Sequence, residues 1–513
     1  MPLDPVKLEL VWTRLISAVD EAAKAIVRTS FSTLSNEAND FACVLTDAEG
    51  RSLAQNTGSI PSFIGTLPAT VRAVCARVPV AEMREGDIYI TNNPWIGTGH
   101  LNDVCLVRPV FHGGRIVAFG ATTSHVPDIG GRIRSTEARE LFEEGFHIPP
   151  MRLLREGVAD ATLVTLLRTN VRTPDQTEGD IWAQAAAVTL IGDRVLATME
   201  DHGLADLAEV ADEIFDRSEI AMRERLRGIP DGTYRHGFET DGLDRPFRLQ
   251  VEITAKDGAV TVDFAGSSPQ QPRSVNCPLT YTRAMSWFVL KAMLLPELPS
   301  NDGIFRPIRI AAPEGCIVNP REPASVGGRA ATGHYVPVLI FGALAQALPD
   351  KVRAAPGSPL WMMSIAGRNA EDQPFASTLF FNGGTGAGAA QDGVDSISWP
   401  SNISATPVEV AERTAPVLIH RKISRPGSGG AGRHAGGRGH ETEVESEVDN
   451  MAAVFVTERI RFPAQGLFGG GAGALGEVLI DGSPANTRQQ QVLNRGTRVI
   501  LRTPGGGGYG TPR

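Results

Sequence analysis

Apolar positions between residues 6 and 29 recur at helical spacing ("VKLELVWTRLISAVDEAAKAIVRT"), and Asp4-Pro5 supplies a start signal, so a helix is predicted there. The pattern then shortens. "NDFACVLTDAEGRSLAQ" (39–55) predicts two strands about an Asp-Ala-Glu-Gly turn, and "DIYITNNP" and "DVCLVRPVFHGGRIVAFGATTSH" predict three more. His112-Gly113-Gly114 is the turn between the last two, which makes His112 a turn residue. The two arms of this hairpin are nearly equal, so Asp103 and His125 are expected at the same sheet end. The opening stretch thus reads as a helix against a sheet.

Helical spacing returns over 158–226, and Pro230-Asp231-Gly232 closes it. A hairpin turning at Asp257-Gly258 follows, then a helix in "YTRAMSWFVLKAMLL" and a second, fully apolar one at 335–348. From about residue 357 glycine clusters ("FFNGGTGAGAAQDG", "GSGGAGRHAGGRG", "GLFGGGAGALG", "PGGGGYG") alternate with strand-like runs such as "EVLIDG" and "TRVILRTP". Glycine runs are often flexible linkers. Their alternation with strands favours ordered turns and pocket loops. The fold class is α+β and multi-domain, with mixed sheets and helices and a glycine-rich, β-containing C-terminal region. The expected divisions are 1–157, a helical segment at 158–228, an α+β unit at 229–356, and 357–513.

Composition narrows the function. The chain has 513 residues, too many for one core. Its net charge is −9 and no basic block is interleaved with aromatics, which argues against nucleic acid. The five cysteines form no CxxC pair, so a reduced, cytoplasmic protein is expected. The start "MPLDPVKLELVW" lacks the pattern of a signal peptide. The 14-residue run at 335–348 is shorter than the roughly 20 residues a membrane span needs, so no membrane role is expected.

The candidate chemistry lies in two His-x-x-Asp stretches. "TNNPWIGTGHLNDVCLV" carries His100 and Asp103; "TTSHVPDIGG" carries His125 and Asp128. His100, Asp103 and His125 offer two nitrogens and one oxygen to a divalent metal and leave positions for water or substrate. Asp128 is either a fourth ligand or an acceptor that fixes a histidine tautomer. The same residues are also compatible with solvated loops. "GGTGAG" (383–388) resembles a phosphate loop but lacks the following Gly-Lys-Ser/Thr. In "NVRTPDQTEGDIWAQ", Asn170, Arg172 and Asp180 surround a helix start, and Asp180 reads equally as a cap or as site lining.

Taken together, "DPVKLELVWTRLISAVDEAA", "NDFACVLTDAEGR", "TNNPWIGTGHLNDVCLVRPVF", "SHVPDIGG", "LFEEGFHIPPMRL", "NVRTPDQTEGDIWAQ", "VDFAGSSPQ", "GSGGAGRHAGGRG" and "PGGGGYG" run in the order seen in one family. The chain resembles the B-type chains of the hydantoinase/oxoprolinase family, which includes caprolactamase and ketone carboxylase relatives. The resemblance implies a divalent metal, Zn or Mn, on His100, Asp103 and His125, with Asp128 outside the ligand set. It implies an A-type ATPase partner that uses ATP to phosphorylate the substrate, and a hetero-oligomer with two copies of each chain. ATP is then not bound by this chain. The substrate would be a phosphorylated cyclic amide opened by metal-activated water, or a phosphorylated ketone-derived species in the carboxylase branch. A non-catalytic binding component is the third reading. The chain departs from the family pattern at Phe63, Asn93, Val126 and Gly427, which predicts an altered substrate pocket; Asn93, Asn170 and Arg172 are carried as candidate pocket residues. The metal site is expected near the surface of a cleft, so that His125→Ala would leave folding largely intact.

Overall fold

The computed structural model describes residues 4–133 and 136–512. Its first unit is a seven-stranded antiparallel sheet. The strands are β1 (Phe41–Asp47), β2 (Ser52–Gln55), β3 (Ile88–Thr91), β4 (Asp103–His112), β5 (Arg115–His125), β6 (Met151–Arg155) and β7 (Val158–Ala159), in the order β2-β1-β5-β4-β3-β6-β7. Helix α1 (Pro5–Thr29) begins where the sequence signals it: Asp4 accepts the Val6 N–H at 3.2 Å, and Pro5 follows at the first position. Its buried stripe (Leu8, Val11, Leu15, Val19, Ala22, Ile26) packs with α5 (Pro174–His202) on one face of the sheet, over Phe41, Cys43 and Leu45. Helix α3 (Thr66–Arg77) covers the other face, over Ala42, Val44, Cys105, Val107 and Phe119. Both faces are therefore dry, which is why "FACVL" and "VCLV" are apolar runs rather than alternating patterns.

A short helix α2 (Thr33–Asn36) precedes β1, and α4 (Ala161–Asn170) and α6 (Ala208–Leu226) flank α5. The helices of 158–228 do not stand apart. Ile191, Val195, Val210 and Phe215 share one core with α1 and β1. The β4–β5 hairpin turns at Gly113-Gly114 with φ +57° and +79°, the left-handed pair such a turn requires. His112, expected in the turn, is instead the last residue of β4, paired with Arg115, so the turn is Gly113-Gly114 alone.

The middle unit is a four-stranded sheet of β8 (Gly232–Thr240), β9 (Phe247–Lys256), β10 (Ala259–Asp263) and β11 (Ile308–Ala311), with β10 and β11 parallel. It packs on α7 (Leu279–Leu294) in one large apolar cluster. Two further one-turn helices, α8 (Asp302–Phe305) and α9 (Ala330–Gly333), precede α10 (Val336–Leu344). The predicted 335–348 helix is thus shorter than its apolar run: Ala347 N–H turns back to Leu344 O at 3.1 Å and the chain leaves as a tight turn. No helix among the described residues is long and apolar enough to cross a membrane.

The C-terminal region holds two sheets. One is formed by β12 (Trp361–Arg368), β13 (Pro374–Phe381), β16 (Met451–Val456) and β19 (Gln491–Leu493). The other is formed by β14 (Val417–Ser424), β15 (His440–Ser446), β17 (Glu477–Ile480), β18 (Ser483–Pro484) and β20 (Arg498–Arg502). The glycine clusters are ordered and bind one another through backbone. Gly430 N–H donates to Gly506 O (2.8 Å), Gly508 N–H to Gly471 O (2.9 Å) and Gly437 N–H to Thr385 O (2.9 Å). Four segments distant in sequence lie backbone against backbone, a spacing that a Cβ would prevent.

A buried polar cluster joins the middle and C-terminal units. Glu458 receives Arg488 Nη2 at 3.2 Å and Tyr335 Oη at 3.4 Å, while Asp241 accepts the N–H groups of Ile460, Arg461 and Phe462. Burial pushes the Glu458 carboxyl up to about 7, with Arg488 opposing and Asp241 adding to the rise. A carboxyl with a raised folded pKa binds more protons when folded. Its stabilising contribution is therefore present at acid pH and is lost as pH climbs through about 7. Glu458→Gln is expected to flatten that loss: the fall in unfolding midpoint between about pH 5 and about pH 8 should be smaller than in the wild type. An unchanged slope would show that Glu458 does not titrate in that window.

Candidate metal centre

Strand register builds the site. Asp103 on β4 pairs directly with His125 on β5, and Phe41 on β1 pairs with Ser124, which puts Asp40 beside His125. The His125 N–H donates to Asp40 O at 2.9 Å. Asp40, His125 and Asp103 thus form one row across three neighbouring strands, on the face shared with Ala42 and Cys105. His100 arrives from the loop before β4. Asn92 holds that loop: its Nδ2 donates to Leu101 O and Phe146 O, both at 2.9 Å, and its Oδ1 accepts from Ile148 N at 2.7 Å.

One oxygen of Asp103 faces both imidazoles, His100 Nε2 at 2.6 Å and His125 Nδ1 at 3.1 Å. The other oxygen accepts from Arg329 Nη2 at 2.7 Å and from the Thr98 hydroxyl. Arg329 also donates from Nε to Thr98 O at 2.6 Å and lies 4.5 Å over the Tyr281 ring. Gly99, with φ +99°, allows this approach, because a Cβ there would meet Arg329 Cδ at 2.6 Å. Burial alone would raise the Asp103 pKa. His100 and Arg329 beside it win, and hold the carboxyl well below the usual range. Ligand atoms of His100, Asp103 and His125 lie within 4.8 Å of one another, and Asp40 Oδ2 is 3.8 Å from His125 Nδ1. Two ligands of a tetrahedral zinc are about 3.4 Å apart. The donor set and its spacing therefore fit a divalent ion held by nitrogen and oxygen, with Asp103 aimed by Arg329 on its far side.

The expected position near a cleft surface is corrected by the structure. His100, Asp103 and His125 are 1–2% exposed, because helices cover the sheet and the Arg329 segment covers the strand ends. His125→Ala should therefore cost about 1–3 kcal/mol as well as any metal the cluster would hold. Elemental analysis showing metal equal to wild type would remove His125 from the ligand set.

The other candidates separate. Asp128 accepts Arg172 Nη1 at 2.6 Å and the N–H groups of Arg172 and Gly130. It braces the loop after β5 and orients neither histidine, although it lines a 20 Å³ cavity beside His125. Arg172 works with it, donating also to Gly131 O. Asn93 accepts the Trp95 N–H at 2.9 Å in a turn, and exposed Asn170 donates to Leu166 O at 2.7 Å at the end of α4. Their side chains are spent on local backbone. Asp180 caps another element than its own: it accepts from Phe31 N (2.7 Å) and Ser32 N (3.1 Å), fixing the entry to α2. Phe63 and Val126 belong to two different apolar clusters and Gly427 is an exposed turn residue, so the four unusual positions do not share one pocket. The 383–388 loop is no phosphate cradle: its Gly384, Thr385, Ala387 and Gly388 N–H groups donate to backbone carbonyls, and the next helix, α11 (Val408–Thr414), starts far downstream.

Sequence reasoning missed Asp40 and Arg329. Asp40 would follow from placing β1 beside β5. Arg329 has no local signal. It also missed Glu144, whose Oε1 accepts Ser274 Oγ (2.6 Å), Val326 N (2.8 Å) and Gly327 N (2.7 Å), fixing the segment that delivers Arg329.

The Hydantoinase B/oxoprolinase family pattern matches residues 4–512. The chain belongs to this family. Among its relatives, the beta chain of the caprolactamase of Pseudomonas jessenii is 31% identical over 99% of this chain and 91% of its own length. The crystal structure of the ATP-dependent caprolactamase from that organism superposes with a TM-score of 0.87 at 28% identity, over 99% of this chain and 91% of that one. The B chain of a putative D-/L-hydantoinase of Pseudomonas sp. (strain NS671) is 29% identical over 99% of this chain and 90% of its own length. Nucleotide-free acetone carboxylase shares the fold, with a TM-score of 0.91 at 19% identity, over 99% of this chain and 76% of that one. In this family member the His100–Asp103–His125 cluster occupies the end of the only seven-stranded sheet among the described residues.

Proposed function

We propose that this chain is the B-type component of an ATP-dependent cyclic-amide hydrolase. One observation carries the reading: a buried two-histidine, one-carboxylate cluster at a sheet end, in a family whose named members include hydantoinase and caprolactamase chains. An amide carbon in a ring is a poor electrophile. An A-type ATPase partner would phosphorylate the carbonyl oxygen and so create a leaving group. His100, Asp103 and His125 would hold a zinc or manganese ion, which when bound would lower the pKa of a water toward about 7. Asp103, kept ionised by His100 and Arg329 beside it, would hold the charge that this site needs. Asp40, whose Oδ2 lies 3.8 Å from His125 Nδ1, would take the proton from that water.

The test is purification with its A-type partner, as a complex of two copies of each, followed by ATP-dependent turnover of hydantoins, 5-oxoproline and larger lactams. ADP release coupled to ring opening is expected, with ring opening lost after chelation and in His125→Ala. Turnover of ketones only with bicarbonate would assign the carboxylase branch instead, and turnover unaffected by either treatment would leave a binding role. The isolated chain is expected to give no heat with ATP in titration calorimetry; micromolar binding would contradict the division of labour.

A further inference from the structure

A second cavity, of about 240 Å³, opens where the end of α10 meets the 352–356 and 385–399 segments. It shares no lining residue with the metal cluster. Its walls are Phe341 and Trp399, whose rings stack 5.8 Å apart at 15°, with Val394 and Ile397 at the mouth. Val394 and Ile397 are 50% and 48% exposed, an apolar rim left open to solvent. One cation lines this cavity, Arg353. Among the described residues no carboxylate lies within ion-pair distance of it, and half burial pulls its pKa down. With its amide oxygen turned toward the guanidinium, Gln391 accepts from Nη1 at 3.3 Å and from Nη2, yet Gln391 is neutral and leaves the charge uncompensated. Thr385 offers no free donor for a phosphate through its backbone, which is bonded to Val394 O.

We infer that this cavity binds a small monoanion with a flat apolar body, its carboxylate on Arg353 and its ring against Phe341 and Trp399. A half-buried guanidinium without a counter-ion is satisfied by a carboxylate through two parallel N–H···O bonds. The stacked aromatics and open apolar rim supply contact area, and the modest volume limits the ligand to a single ring. One cation with few accompanying donors suits a monoanion better than a phosphate dianion. The inference is independent of the proposed amide-hydrolase activity.

Calorimetric titration of the full chain with benzoate tests it, with benzamide as the neutral counterpart. Saturable benzoate binding is expected in the millimolar range or tighter, with benzamide at least tenfold weaker. Arg353→Gln should lose tenfold or more in benzoate affinity. Val394→Asp, a change at the exposed rim that places a carboxylate by the mouth, should do the same without altering the unfolding midpoint. Equal binding of benzoate and benzamide, unchanged affinity in both variants, or no saturable benzoate binding would each overturn the inference. So would protection of Val394 and Ile397 from hydrogen exchange on adding the A-type partner with no competition by benzoate, which would make the cavity a protein-docking surface.

Discussion

Asp103→Ala is expected to abolish binding of the proposed divalent metal and to lower stability by about 3–5 kcal/mol, the range for breaking a buried ion pair from one side. The reason lies in how the carboxylate is shared. One oxygen faces His100 and His125; the other holds Arg329, which is itself 4% exposed. Removing the carboxylate leaves a buried guanidinium with no anion and two imidazoles without their common acceptor. Asp103→Asn should behave almost as badly, since it keeps the shape but loses the charge. The double variant Asp103→Ala/Arg329→Ala separates the two effects. It should recover part of the stability, because the orphaned cation is gone, but none of the proposed metal binding. Unfolding midpoints and elemental analysis of the three proteins check this. A single variant as stable as wild type, or a double variant no better than the single, would show that Arg329 and Asp103 are not coupled.

The second large effect is expected at a residue with no chemistry. Gly436→Ala should unfold or loosen the C-terminal region, at a cost beyond the roughly 1–3 kcal/mol usual for overpacking. An added Cβ would overlap the Gly506 carbonyl, which is backbone and cannot rotate away. That carbonyl is already bound by the Gly430 N–H at 2.8 Å, and the Gly506 N–H is committed to Gly437 O at 2.9 Å. Gly427→Ala is the control. Gly427 is exposed with nothing within 4 Å of a new Cβ, and pays only for its φ of +73°, about 1–2 kcal/mol. Thermal unfolding and limited proteolysis after residue 357 measure both. Equal, small effects would return the glycine clusters to the status of linkers.

Local signals in the chain were enough for some of this. Asp4-Pro5 and an apolar stripe at helical spacing determined α1, and Gly113-Gly114 and Asp257-Gly258 determined two hairpins, because caps and left-handed turns are decided by neighbours a few residues away. The hairpin's equal arms placed Asp103 opposite His125, and the paired His-x-x-Asp stretches pointed to the cluster the structure assembles. What the sequence by itself could not determine is long-range. Asp40 joins the row because β1 lies beside β5, some 80 positions away in the chain, and strand order is set by packing on both faces of the sheet. Arg329 reaches Asp103 across 226 positions of chain through a segment fixed by Glu144, and no periodicity records that approach. Asn93, Asn170 and Asp180 looked like site residues by their chemistry, but their donors and acceptors were taken by nearby backbone once the loops closed. The glycine clusters could have been linkers or packed chain by composition alone. Tertiary structure decided it, since only four clusters meeting at backbone distance make the absence of a side chain a requirement.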